Sequence, residues 1–220
     1  AKHTYTGFYK ISSAVNGQYV LNVRDGKYRN GTNIDLEKDN GTDSQACRLL
    51  YSGYDTYRVQ CVHSYSVLDV TEGKMANAVN VQQYGWNGID AQKWYIEKNS
   101  DGTVTFRSAA NKDMVLDLYA GKAVSAANID IYGSNATKAQ KWKLKKVAER
   151  YPKRPTEEDK NGCRGQDIVD YAKTWVGKIS YHLGANGPLT VGGKSDCSWF
   201  IFHVLEHFGL MEKWHKSLEY

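Results

Sequence analysis

Proline is scarce, with three residues in 220, and long apolar runs are missing. No segment approaches the roughly 18 to 20 apolar residues needed to span a bilayer. The N-terminal stretch AKHTYTGFYK lacks the apolar core of a signal peptide, so a secreted protein with this sequence is expected in mature form. The four cysteines, Cys47, Cys61, Cys163 and Cys197, form neither a CxxC zinc pattern nor a dense disulfide framework. No metal and no cofactor are therefore expected. The net charge of +5 comes without a basic helix or an aromatic RNA-binding motif, and Lys and Arg cluster no more densely than KWKLKK at 141–146. This argues against a nucleic-acid partner and leaves an acidic surface as the better match. With 41% hydrophobic residues the chain is globular, with room for one large domain or one domain and a smaller second.

What is present is repetition. VLNV at 20–23, VLDV at 67–70 and VLDL at 115–118 recur at intervals of 47 and 48 residues. Five residues after each central leucine comes Gly26, Gly73 or Gly121, and seven later an asparagine, Asn33, Asn80 or Asn128, opens an alternating apolar stretch. Gln45-Ala46-Cys47, Gln92-Lys93-Trp94 and Gln140-Lys141-Trp142 follow in the same register. Each copy reads as short strands separated by Gly, Asn and Asp turn signals. A unit this small cannot bury its apolar face alone. Three copies can close around a shared core with Trp94, Trp142, the central leucines and the strand valines pointing inward. Cys47 takes the Trp position of the first copy. Together with Cys61 it is either a buried free thiol or half of a disulfide between adjacent strands.

Over roughly residues 5–147 this pattern resembles the ricin-type β-trefoil lectin family. The resemblance implies a mainly β fold and a sugar site in each copy. Such a site uses the aspartate of the V-L-D-V strand, an aromatic ring ending the next strand, and a polar group in the turn before Q-x-W. In the second copy these are Asp69, Tyr84 and Asn87, and in the third Asp117, Tyr132 and Asn135. A carboxylate accepts two hydroxyl hydrogen bonds, and a ring face packs on the C–H face of a pyranose. The first copy has Asn22, Glu37 and Asn40 and is expected to be silent. Where many members of the family carry an asparagine before the Gln of Q-x-W, this chain has Ser44, Ala91 and Ala139.

After Leu144 the composition changes. The stretch AERYPKRPTEEDKNGCRGQ at 148–166 is charged, holds two of the prolines and reads as a linker. Ile168, Val169, Ala172, Trp175 and Val176 then recur at helical spacing, predicting a helix over 167–176 that Gly177 ends. Residues 179–194 are turn-rich, and a second helix is predicted over 197–208. The expected domains are therefore 1–147, a linker at 148–166, and 167–220. Cys197 falls in the first turn of the second helix, where unpaired N–H groups and the helix dipole favour the thiolate. Asp196 and Ser195 are suitable N-caps in their own right.

The run DIVDYAKTWVGKISYHLGANGPLTVGGKSDCSWFIFHVLEHFGL looks like the N-terminal half of an NlpC/P60 cysteine peptidase, whose signature reads D-C-S-G-F. That resemblance implies a truncated, papain-like α+β segment with Cys197 as nucleophile, flanked by Asp196 and Ser198, with Tyr181 near the thiol. It also implies cleavage of peptidoglycan stem peptides, commonly between γ-D-glutamyl and a diamino acid, in a secreted or cell-wall-associated bacterial protein. A lectin for wall glycan tethered to such an enzyme raises its concentration at the substrate. Trp199 replaces the family's glycine. The family's general base is a histidine well downstream, which these 220 residues do not reach, so the chain alone is expected to have little or no peptidase activity. His203 and His207 lie about 240° and 280° around the helix from Cys197 and face away from it. His182 and His215 are the remaining candidates for a base. The HVLEH run at 203–207 matches an inverted zinc-protease motif, with only Glu212 and Glu219 left as a third ligand. The alternative is a non-enzymatic lectin or a regulatory protein that depends on a partner.

Overall fold

The computed structural model describes residues 4–152, 172–182, 193–195, 199–201, 203 and 204. Twelve strands occupy the first 146 residues, four to a copy. The first copy has β1 (Gly7–Ser13), β2 (Tyr19–Val23), β3 (Ile34–Lys38) and β4 (Cys47–Tyr51). The second has β5 (Thr56–Cys61), β6 (Val67–Val70), β7 (Val79–Tyr84) and β8 (Trp94–Lys98). The third has β9 (Val104–Ser108), β10 (Met114–Leu118), β11 (Ala127–Gly133) and β12 (Trp142–Lys146). The first and last strands of the copies pair in the order β1, β4, β5, β8, β9, β12, and β12 returns to β1, closing a six-stranded antiparallel barrel. Closure leaves that barrel without a free edge.

The middle strands form three hairpins, β2–β3, β6–β7 and β10–β11, over one end of the barrel. Equivalent backbone bonds stitch each hairpin to its neighbour: Gly31 N–H to Gln83 O, Ala78 N–H to Ile131 O and Ala126 N–H to Leu36 O, each 2.9 Å. The repeated asparagines meet at the pseudo-threefold axis. Asn33 Nδ2 donates to Asn128 Oδ1 at 2.7 Å, and Asn128 Nδ2 donates to Asn80 Oδ1 at 2.9 Å. Their recurrence thus has a packing reason: a short amide both donates and accepts, linking the three copies where they converge. This is the mainly β trefoil that the repetition predicts.

Trp94, Trp142, Leu21, Leu68, Leu116 and Phe106 form the interior, each at most 2% exposed. In two copies the barrel Trp faces a serine across the strand pair, Trp94 opposite Ser108 and Trp142 opposite Ser13. In the first copy the equivalent pair is Cys47 opposite Cys61, and both are free thiols. Burial pushes the Cys47 thiol well above its usual value and Cys61 up to about 12, so neither is a thiolate near neutrality. With Cys163 and Cys197 changed to serine, Ellman's reagent is expected to give no colour with the native chain and two thiols after unfolding in guanidinium. Stoichiometric reaction in native buffer would contradict the buried pair.

Residues 147–152, partly in the predicted linker, lie along the trefoil. Val147 N–H donates to Phe8 O at 3.0 Å, Arg150 pairs with Asp43 at 3.0 Å, and the Tyr151 ring meets Phe8 edge-on at 5.5 Å. The C-terminal part is a separate compact unit. Within it residues 172 and 173 are helical, and the chain then tightens into turns at 174–178 through bonds such as Lys178 N–H to Trp175 O. Helix thus gives way to turn three residues before the predicted end. Gly177, at φ +75°, takes the left-handed conformation within these turns. A short parallel pair, β13 (Ser180–Tyr181) and β14 (Lys194–Ser195), stands where the sequence reads as turns. Residues 199–201, 203 and 204 are helical, within the second predicted helix.

Candidate functional site

In the first and third copies a depression lies where the second strand, third strand and Q-x-W turn converge, and the second copy repeats the same frame of residues. In the second copy Asp69 on β6 is opposite Gln82 on β7, and Tyr84 lies two residues further along the same face. Gln82 Nε2 donates to Asp69 Oδ2 at 3.0 Å and so orients the carboxylate. Burial raises the Asp69 pKa, while the amides of Gln82 and Gln92 pull it back. Gln92, fully buried, braces the turn: it accepts from Asn87 N–H at 2.9 Å and donates to Gly85 O at 2.9 Å. Asp69 and Tyr84 thus lie on one hairpin, with Asn87 in the turn that Gln92 braces and Tyr84 39% exposed.

The third copy repeats this frame. Asp117 on β10 faces β11, Tyr132 is 41% exposed, and Gln140 accepts from Asn135 N–H at 2.8 Å and donates to Gly133 O at 3.0 Å. Asp117, Tyr132 and Asn135 line an open depression of about 690 Å³ with Tyr119, Thr137 and Lys138. One position differs. The residue opposite Asp117 is Asp130, and two carboxyl groups now face one another. Asp117 is raised by burial, with Gln140 opposing the rise, and Asp130 is raised to about 7 by burial and by the Asp117 charge. The folded chain holds this proton more tightly than the unfolded chain. The contribution is therefore complete below the ordinary carboxylate range and is lost as pH rises through about 7. Asp130→Asn is expected to raise stability at pH 8 by on the order of 1 kcal/mol, below the full linkage value because water screens the open side of the pair. Urea unfolding at pH 5 and pH 8 measures it, and an unchanged difference between the two would exclude a retained proton.

In the first copy the acid has moved across the hairpin. Asn22 lies on β2 where the other copies carry aspartate, and the carboxylate is Asp35 on β3, which the motif comparison missed. Asn22 Nδ2 donates to Asp35 Oδ1 and Arg24 Nε to Oδ2, both at 2.8 Å. Both oxygens are thus engaged within the protein. Glu37 accepts from Ala126 N–H at 3.0 Å, and Asn40 N–H donates to Gln45 Oε1 at 2.9 Å. The depression, about 680 Å³, also receives Tyr28 and His63, whose rings lie 4.9 Å apart. This aromatic wall comes from outside the motif that the sequence comparison followed. The signal that finds Asp35, Gln82 and Asp130 is period-two spacing, two residues before Glu37, Tyr84 and Tyr132.

The turn after each second strand forms the facing wall. Asp25, Glu72 and Ala120, at φ 56°, 55° and 54°, each precede a glycine that is also left-handed, at φ 60°, 64° and 63°. A Cβ on Gly26, Gly73 or Gly121 would stand 3.9, 3.9 and 3.8 Å from the Cβ of Ser44, Ala91 and Ala139. Exchange of those glycines is penalised by their backbone conformation.

Of the predicted peptidase residues, Tyr181 lies in β13 and is 65% exposed. Cys197, Asp196 and Ser198 lie outside the described residues, as do His207 and His215. Trp199 and His203 meet edge-on at 5.1 Å, one helical turn apart. Among the described residues no group of three His, Cys, Asp or Glu side chains could hold a metal ion, and no helix is long and apolar enough to cross a membrane.

The family model described as ricin-type β-trefoil lectin domain-like matches residues 2–84, 45–132 and 90–152, three overlapping matches each displaced by about one copy. The chain belongs to this family. Its trefoil is similar to the designed threefold-symmetric protein ThreeFoil, with 27% identity and a TM-score of 0.62 over 64% of this chain and 99% of that one. It is also similar to the Rhizoctonia solani agglutinin, with 27% identity and a TM-score of 0.59 over 64% and 96% of the two chains. The Macrolepiota procera ricin B-like lectin, solved in complex with lactose, shares the fold at 15% identity and a TM-score of 0.56 over 67% and 100%. No curated protein matches the chain. The trefoil is thus a ricin B-type lectin fold with unequal hairpin depressions.

Proposed function

We propose that the chain is the wall-binding part of a secreted or cell-wall-associated peptidoglycan hydrolase. On this reading residues 1–147 hold cell-wall glycan, 148–166 form the linker, and 167–220 belong to a cysteine peptidase domain. The observation that carries the glycan half is the convergence of Asp69, oriented by Gln82, with an exposed Tyr84 ring and a turn braced by Gln92. An oriented carboxylate beside a ring is suited to bind sugar hydroxyls and a pyranose face together. Lactose in the M. procera relative supports sugar as the ligand class. The peptidase half rests on the NlpC/P60-like run around Cys197, with Asp196 and Ser198 beside it and Tyr181 nearby, acting on the γ-D-glutamyl to diamino acid bond of stem peptides.

The test is cosedimentation with purified sacculi, alongside release of soluble stem peptides by the natural protein and its Cys197→Ala variant. Both are expected to sediment equally, with release lost in the variant. The 220-residue chain is expected to sediment without release. Failure to sediment would remove wall glycan as the ligand. Sedimentation with no Cys197-dependent release would leave a lectin without peptidase activity.

A further inference from the structure

In two copies one acid and one amide donor stand in register across the hairpin. The second copy has Asp69 with Gln82, and the first has Asn22 with Asp35. The third copy has two acids at these positions, Asp117 and Asp130, and no amide. Asp130 is 1% exposed, and its Oδ1 has no hydrogen-bond partner among the described residues. Two buried carboxylates in register repel when both are charged, and an acceptor with no donor is costly to bury. The arrangement lacks one hydrogen-bond donor. The most economical source of that donor is a proton from solvent, which converts one carboxylate into a hydroxyl donor and leaves the other as acceptor.

We propose that Asp117 and Asp130 share one proton, and that this proton does for the third glycan site what the Gln82 amide does for the second. It orients Asp117 toward the ligand and cancels the repulsion. Asp130 is therefore a positioning residue, and the site it serves is turned off by its own ionisation. Glycan binding there rests on the reading above; the sharing of the proton does not. The other titratable groups lining the depression are Tyr119 and Tyr132 from β10–β11 and the turn between them, and Lys138 from the Q-x-W turn. Asn80 on β7 stands opposite Asp130 on the remaining side and adds no charge. Gln140 serves Asp117 as Gln92 serves Asp69, but none of these groups takes the place of the Gln82 amide between the two strands. With the pair titrating near 7, the competent fraction falls about tenfold between pH 6 and pH 8, and apparent affinity falls with it.

Carboxyl 13C NMR of the full chain, assigned with Asp117→Asn and Asp130→Asn, reads the proton directly. One titration step near 7 that disappears in Asp130→Gln is expected. Two carboxyls that both titrate in the ordinary carboxylate range would overturn the proposal. A step suppressed by millimolar calcium, with one ion bound per chain, would overturn it as well and make the pair a cation site. The second arm measures binding of solubilised peptidoglycan glycan chains to an Asp69→Ala background, in which the second site is lost. Affinity is expected to fall about tenfold from pH 6 to pH 8, and Asp130→Gln is expected to bind with little pH dependence, because it installs the donor permanently. A flat wild-type profile would overturn the role of the proton in binding. Absence of binding at every pH, with the NMR step intact, would instead overturn wall glycan as the ligand.

Discussion

Replacing Trp142 with alanine is expected to lower the unfolding free energy of the trefoil by about 3 to 5 kcal/mol, a large share of the stability of a domain this size. The indole is fully buried, and its Nε1 donates to Leu116 O at 3.2 Å, tying the barrel to the third hairpin. Trp94 is buried to the same extent, but its Nε1 has no acceptor among the described residues. The two tryptophans occupy equivalent positions and differ in this one bond. Trp142→Phe removes a satisfied hydrogen bond as well as volume, whereas Trp94→Phe removes a buried donor that is already unpaired. The first should therefore cost about 1 to 2 kcal/mol more than the second. Guanidinium unfolding followed by circular dichroism measures both, provided the slopes agree. Equal losses would show that the Leu116 bond contributes nothing to stability.

The double variant Asp69→Ala/Asp117→Ala is expected to lose glycan binding by more than about 100-fold. A hydrogen bond to a charged acceptor contributes about 1.5 to 3 kcal/mol, and each 1.4 kcal/mol is a tenfold change in affinity. If the proposed wall glycan is held at both sites, their loss also removes the effective-concentration gain of binding twice. Each substitution removes a charge that is costly to bury but also the acceptor of the Gln82 or Gln140 amide, so the variants are compared at a temperature where unfolding shows both to be folded. Tyr84→Ala is the control for the ring: it should reduce affinity while leaving the Asp69–Gln82 hydrogen bond in place. Isothermal titration at pH 6 with solubilised wall glycan reports all three. Unchanged binding by the double variant would place the glycan elsewhere on the protein.

The trefoil was legible because its landmarks are spaced along the chain as they are spaced in the fold. The V-L-D-V strand, the turn glycine, the axis asparagine and the bracing glutamine each recur once per copy, and Gln92 and Gln140 make the same pair of hydrogen bonds. The differences between copies were harder to see. Asp35 and Asp130 lie thirteen residues from the strand positions they face, and only hairpin register reveals that one pairs with an asparagine and the other with an aspartate. Tyr28 and His63 reach the first depression from loops between repeat strands, and Met75 and Ala123 stand where the other copies would repeat Tyr28, so periodicity carries no signal for them. Likewise, Cys47 and Cys61 could be read as a possible pair from sequence, but their direct opposition follows from the pairing of β4 with β5. The Cys197 motif is legible as a resemblance, and its geometry lies outside the described residues.

The pairing of β1 with β12 has a consequence for synthesis. Of the twelve trefoil strands Gly7–Ser13 is the first to be made, yet one of its strand partners, Trp142–Lys146, is the last. Until then the barrel is an open sheet with exposed edges, the state most prone to pairing with other chains. The trefoil must therefore complete itself late, and the residues after 146 act as the leash that carries β12 clear of the ribosome while β1 waits for it.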